Sequence, residues 1–117
     1  MCVPPLWLNA AELRSGRVPQ PNKELFSLAD YRTRYASYRS DPDLQLLHQT
    51  HAWQLIWDDH EVADNTWKAG SVDSNDTIAG STQGIGFTER KANAVKTYFE
   101  WLPIRTVCPV ARGDFQG

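Results

Sequence analysis

Residues 52–57, Ala-Trp-Gln-Leu-Ile-Trp, place the hardest constraint on how this chain can fold. The run is short, apolar on both faces and rich in aromatics, which is the composition of a buried strand. It stops abruptly at Asp58-Asp59-His60-Glu61, four polar residues in a row. A buried strand carries backbone donors and acceptors that need partner strands. No other segment offers a convincing partner. The sequence therefore predicts a piece of a larger sheet protein.

The rest of the ordered signal is helical. Ser27-Leu28-Ala29-Asp30 fits a capping box, with Ser27 and Asp30 exchanging side chain-to-backbone bonds. Phe26 and Tyr31 stand at the two positions of a hydrophobic staple, and Leu28, Tyr31, Tyr35 and Tyr38 recur at helical spacing. These predict a helix from Leu28 to Arg39. Asp41 can cap a second helix, and Pro42 suits its first turn, where a missing N–H costs nothing. Leu44, Leu47, His48 and His51 share one face, so the second helix is placed at Pro42–Thr50. Thr88 is the candidate cap of a third, with Ala92, Val95, Phe99 and Leu102 as its apolar face and Pro103 as its stop.

Between these elements the chain is irregular. Prolines at 4, 5, 19 and 21 and Gly16 break up the first 25 residues, where only a short turn at Ala10–Arg14 is expected. Residues 62–86 are rich in Asp, Asn, Ser, Thr and Gly and read as one long loop. Loops that long are uncommon in compact domains and are usually functional or mobile. The expected organisation is an irregular segment at 1–26, a partial domain at 27–105 and an irregular tail at 106–117. The fold-class expectation is α/β: about three helices and one buried strand.

Composition excludes several functions. With 117 residues there is room for one ordinary domain. Lys plus Arg total 12 against 14 Asp plus Glu, for a net charge of -2, so there is no nucleic-acid-binding signature and no bulk attraction to an anionic membrane. No apolar run approaches the roughly 20 residues of a spanning helix. The N-terminus lacks the basic and long apolar regions of a signal peptide. Cys2 and Cys108 can pair only if the termini meet.

The Asp58–Glu61 block is the sharpest chemical feature. Ligand and metal sites cluster at the carboxyl ends of strands in α/β proteins. Three carboxylates within four residues repel one another unless a cation neutralises them, and an imidazole beside them can ligate metal or act as a general acid. Hard oxygen donors favour calcium, magnesium, manganese or iron. A solvated acidic turn explains the same residues, and spacing alone does not choose between the two. His48 and His51 have metal-compatible spacing, but they share a face with Leu44 and Leu47, which favours packing. Asp64, Asp73 and Asp76 do not match a calcium-loop pattern and read as solvated loop residues. Asn75-Asp76-Thr77 and Arg112-Gly113-Asp114 are short motifs that arise by chance and carry no weight. No phosphate-binding glycine loop and no nucleophile elbow is present.

Four blocks taken in order resemble a known family. They are Leu28-Ala29-Asp30-Tyr31-Arg32-Thr33-Arg34-Tyr35, Tyr38-Arg39-Ser40-Asp41-Pro42-Asp43-Leu44-Gln45, Trp57-Asp58-Asp59-His60-Glu61-Val62-Ala63-Asp64-Asn65, and Phe87-Thr88-Glu89-Arg90-Lys91 on through Tyr98-Phe99-Glu100-Trp101-Leu102-Pro103-Ile104-Arg105. They resemble the alkaline phosphatase D family, the PhoD-like metallophosphatases, over about Gly16 to Arg105. The resemblance implies a calcineurin-like αββα sandwich. It also implies a bimetal centre, commonly iron with calcium, and hydrolysis of phosphomonoesters and phosphodiesters. It makes Asp59 the first candidate metal ligand and Asp58 a second ligand or its neighbour. His60 becomes the catalytic group that holds the phosphoryl or protonates the leaving oxygen, and Glu61 the residue that orients His60. Many members are exported, which implies a secreted or extracytoplasmic setting.

The chain departs from that family by lacking a Gly-Asp block before Ser27 and any histidine after His60. One ligand-bearing loop cannot hold two metals. The expectation is a partial PhoD-like alkaline phosphatase or phosphodiesterase whose substrates are phosphate-ester small molecules. The alternative is a non-catalytic remnant or small helical interaction protein that uses Trp53, Trp57 and Trp101 as an adhesive surface.

Overall fold

The computed structural model of the chain describes residues 16, 18–71 and 84–104. Its first helix, α1, spans Leu28–Arg39 and begins at the expected box. The Ser27 hydroxyl accepts from the Asp30 N–H at 3.2 Å, and the Asp30 carboxylate accepts from the Ser27 N–H at 3.0 Å. That carboxylate also accepts from the Phe26 N–H and pairs with Lys23 at 2.8 Å. Burial by itself would raise the Asp30 pKa, but Lys23 and the hydrogen bonds from Ser27 and Phe26 outweigh it and lower the group to about 2. Arg34 reaches back from α1 to the carbonyls of Gln20 and Pro21, holding the preceding segment against the helix.

The second helix, α2, spans Pro42–Thr50. Asp41 caps it by accepting from the N–H groups of Asp43 and Leu44, with Pro42 in the first turn. Gln45 on α2 donates to the Arg39 carbonyl at 2.8 Å, satisfying an acceptor that the end of α1 leaves open.

The third helix, α3, spans Phe87–Trp101. Its start corrects the sequence reading: Gly86 is the cap and no side chain caps it, so Thr88 does not serve. Its buried face is also different. Phe87, Arg90, Ala94, Thr97 and Tyr98 face inward, whereas Ala92 and Phe99 are exposed. A hydropathy reading skips Arg90 and Thr97 because polar side chains are expected outside. Both are buried because they have partners: Thr97 donates to the Asn93 carbonyl, and Arg90 bonds Tyr31 and Glu24.

α1 and α3 pack together. Asn93 donates to the Phe26 carbonyl, Arg32 forms a forked pair with Glu100, and Arg39 donates to the Trp101 carbonyl at 2.7 Å. The last contact places a cation at the C-terminal end of α3, where the helix dipole favours it. Tyr35 stacks on Trp101 with ring centroids 6.4 Å apart. The apolar core is small: Tyr31, Val62, Ala63, Phe87 and Ala94, flanked by Leu25.

The expected buried strand is not formed. Residues 52–57 carry no ladder, and Ile56 is 87% exposed. The physical reason is the one that made the strand a problem: among the described residues no strand lies alongside to take its backbone bonds. The chain is thus helix-rich, with three helices and no strand among the described residues; an isolated bridge joins Trp67 and Gly70. No described helix is long and apolar enough to cross a membrane. Cys2, Ala10–Arg14, Asp73, Asn75-Asp76-Thr77, Cys108 and Arg112-Gly113-Asp114 lie outside the described residues.

Candidate functional site

Asp58-Asp59-His60-Glu61 forms a tight turn rather than an open loop. Asp59–Glu61 is one turn of 3₁₀ helix. The Glu61 carboxylate accepts from the Asp58 N–H at 2.7 Å, and the Asp59 carbonyl accepts from the N–H groups of Val62 and Ala63. Glu61 therefore closes the turn on its own backbone and does not orient His60, contrary to expectation.

The turn is held at both ends by helices. Before it, the Trp57 indole sits edge-on to Tyr98 of α3, centroids 4.8 Å apart. After it, the buried Tyr31 hydroxyl of α1 donates to the Val62 carbonyl at 2.6 Å. Arg90 of α3 in turn donates from Nε to the Tyr31 oxygen at 3.2 Å, pairs through Nη2 with Glu24 at 2.9 Å, and lies 4.3 Å over the Phe26 ring. Burial pushes the Tyr31 hydroxyl above its ordinary pKa, with the Arg90 charge acting the other way. The group thus stays a neutral donor at ordinary pH.

Asp58 and His60 are exposed, and Asp59 and Glu61 are half-buried. His60 is largely exposed, and its Nε2 lies 3.4 Å from Asp64 Oδ1 and 4.0 Å from Asp59 Oδ1. Asp64 is positioned by a bend at Asn65, whose φ of 50° is one that asparagine tolerates well. Asn65 Nδ2 donates to the other Asp64 oxygen. Asp58 and Asp59 border an open cleft of about 330 Å³ that also involves Trp57, Trp67, Lys68 and Lys91. Lys91 Nζ donates to the Lys68 backbone carbonyl at 3.4 Å, which ties α3 to the segment after the turn. The cleft thus combines carboxylates that can attract a cation with ammonium groups that attract anionic oxygens.

Asp58, Asp59 and His60, the candidate ligands and catalytic group, lie in and beside one turn, as neighbours in sequence. His48 and His51 do not join them. His48 stacks on Trp53 at 4.1 Å, and His51 Nδ1 pairs with the Thr50 hydroxyl. Asp64 is solvated as expected, and its i, i+4 spacing from His60 brings it within 3.4 Å of the imidazole. Lys68 and Lys91 carry no spacing signal that links them. The donors near His60 fit a hard cation in kind, being carboxylate oxygens and imidazole. They do not fit in number: among the described residues no three His, Cys, Asp or Glu side chains converge to hold one.

A family model described as PhoD-like phosphatase matches residues 7–115. The chain belongs to this family. Alkaline phosphatase D of Bacillus subtilis (strain 168) is 36% identical over 94 residues, which is 79% of this chain and 15% of that protein. The chain thus spans about 15% of the length of the curated relative it matches. No solved structure matches it. The pinned turn of this PhoD-like chain carries the Asp-Asp-His-Glu part of one of the four blocks that bear the resemblance.

Proposed function

We propose that residues 27–105 supply one wall of the active site of a PhoD-like phosphatase that hydrolyses phosphate esters, both mono- and diesters. The observation that carries this reading is the Asp58–Glu61 turn, pinned by Tyr31 and Tyr98 at the edge of a cleft that also holds Lys68 and Lys91. Family membership supplies the reaction class. In the complete enzyme this segment packs into an αββα sandwich, where residues 52–57 gain partner strands and become the strand their composition suits.

In that setting Asp59 is a ligand of a bimetal centre, with Asp58 beside it, and the remaining ligands come from elsewhere in the protein. Iron with calcium is the metal pair proposed by family. Metal ions in such a centre polarise phosphoryl oxygens and lower the pKa of bound water. This chain's own groups have separate tasks. His60 is placed to pass a proton from Nε2 to the leaving oxygen, with Asp64 Oδ1 3.4 Å and Asp59 Oδ1 4.0 Å from that nitrogen. Lys68 and Lys91 attract the anionic oxygens of the ester.

The test is a chimera in which the matching 94 residues replace their counterpart in the Bacillus subtilis relative. Metal-dependent hydrolysis of p-nitrophenyl phosphate and bis(p-nitrophenyl) phosphate is expected, and His60→Ala should cut turnover by about 100-fold or more. A folded chimera without metal-dependent hydrolysis, or near-normal turnover in the variant, overturns the proposal.

A second reading is favoured by one observation. Ile56, Leu46 and Trp53 are 87%, 60% and 40% exposed, a set of apolar side chains suited to protein contact. A non-catalytic interaction module predicts that the 117-residue chain is a well-folded monomer or homo-oligomer with no phosphatase activity in any context.

A further inference from the structure

The Tyr31 hydroxyl, from α1, bonds the backbone at the end of the candidate site's acidic turn. Its oxygen lies 2.6 Å from the Val62 carbonyl, one residue past the 3₁₀ turn. Tyr31 is 2% exposed, and Arg90, which donates to the same oxygen, is 1% exposed. Arg90 is fixed in turn by Glu24 at 2.9 Å and by the face of Phe26 at 4.3 Å. Three stretches of the sequence therefore meet in one hydrogen-bonded line: Glu24 and Tyr31, Val62 through its carbonyl, and Arg90.

The order of donors matters. The phenol has one proton and gives it to Val62, so a second donor is needed to occupy its lone pairs and set the rotor. Arg90 can only donate. It thus leaves the Tyr31 hydroxyl a single choice, to point its proton at the Val62 carbonyl. A charged donor on the phenol oxygen also strengthens the bond the phenol makes. Val62 and Ala63 donate back to the Asp59 carbonyl at 3.0 and 3.3 Å, which passes the constraint directly to the first candidate ligand.

We propose that Tyr31, oriented by Arg90, is a positioning residue that fixes the Asp58–Glu61 turn and thereby the placement of Asp59 and His60. Its importance for catalysis rests on the phosphatase reading above; its hold on the turn does not. Both residues act through Val62 and touch no reacting group. The bond replaces what a loop of polar residues lacks, a rigid connection to packed helices.

The closing experiment reads the turn and the reaction separately. In the 117-residue chain, Tyr31→Phe keeps the ring in the core and removes only the hydroxyl. Amide hydrogen exchange at Val62 and Ala63 is expected to speed up about tenfold, while amides within α1 and α3, such as Tyr35 and Ala94, change less than about twofold. Equal acceleration at all of these sites, or none at Val62 and Ala63, overturns the proposal. Should the variant not fold, the unaltered chain decides. Its Tyr31 hydroxyl proton is expected to give a separate, slowly exchanging resonance with cross-relaxation to Val62, and a hydroxyl exchanging as fast as a free phenol overturns the idea. Arg90→Lys, which keeps the charge but lacks the fork, is expected to reproduce the loss of protection at Val62.

In the active chimera, Tyr31→Phe is expected to lower kcat about tenfold with KM within about twofold, because misplacement of catalytic groups weakens transition-state contacts more than substrate binding. Unchanged kcat with lost turn protection removes the catalytic role. An inactive parent chimera defeats the phosphatase reading and leaves the exchange result to judge the turn.

Discussion

Arg32 and Glu100 meet across the α1–α3 contact in a two-pronged pair, Nε to Oε2 at 2.8 Å and Nη2 to Oε1 at 2.7 Å. Each partner pulls the other further toward its charged form through this bond. The geometry is the fork-to-fork arrangement that only arginine can make. Both side chains are solvent-accessible, at 44% and 32%, so the pair aligns the helices more than it stabilises them. Arg32→Lys is expected to lower Tm by about 1–3 °C, and about 0.5 M NaCl should erase most of the difference. A loss that survives high salt would mean the pair is worth more than its exposure allows.

Asp30 gives the fold an acid limit. Its pKa is held near 2 in the folded chain, below the ordinary 3.8. A depressed carboxylate contributes stability that is complete above its unfolded pKa and is lost as pH falls through the folded one. The window is therefore about pH 4 down to about pH 2, and the contribution is roughly 2 kcal/mol. Denaturant unfolding across that range is expected to show the loss in the native chain and a flatter profile in Asp30→Asn. Parallel profiles would show that Asp30 titrates normally.

Tyr35 sets a limit at the other end. Burial pushes it up to about 12, with the charges of Glu61 and Tyr98 adding to the rise and Arg39 opposing it. A raised group contributes stability that is complete below its unfolded pKa, about 10, and is lost as pH rises through the folded value. Spectrophotometric titration is expected to show a tyrosinate step near pH 12 that disappears in Tyr35→Phe. Persistence of that step in the variant would assign it elsewhere.

The two phenylalanines of α3 separate the observed core from the one hydropathy suggests. Phe87 is 1% exposed and packs with Tyr31, Val62 and Ala94, whereas Phe99 is 46% exposed. Phe87→Ala is expected to cost about 3 kcal/mol or more, and Phe99→Ala less than about 1 kcal/mol. Equal costs in chemical denaturation would mean that the helix is rotated relative to the arrangement described.

What was legible in the sequence was local. The Ser27–Asp30 box, the Asp41 cap with Pro42, and the bounds of α1 and α2 all depend on residues within four positions of one another, and each was readable before the structure. The Asp-Asp-His block was visible for the same reason. Partners distant in the chain were not. Arg90 and Tyr31 are 59 positions apart, and no periodicity announces that an arginine on α3 is buried to serve a tyrosine on α1. The apolar face of α3 was misread because the buried side includes that arginine and a threonine. Residues 52–57 form no strand here because composition reports what a segment can bury, and burial needs a neighbour that these residues do not have among the described ones.

The anchors of the Asp58–Glu61 turn have a consequence for how this part of the protein can vary. Tyr31 and Tyr98, which grip the turn from either side, belong to α1 and α3, and neither lies in the polar stretch between Asp64 and Gly86. The grip of α1 and α3 on the acidic turn therefore does not run through that stretch. The carboxylates thus travel with the helices: a change that shifts α1 against α3 moves them, whatever the connecting chain does.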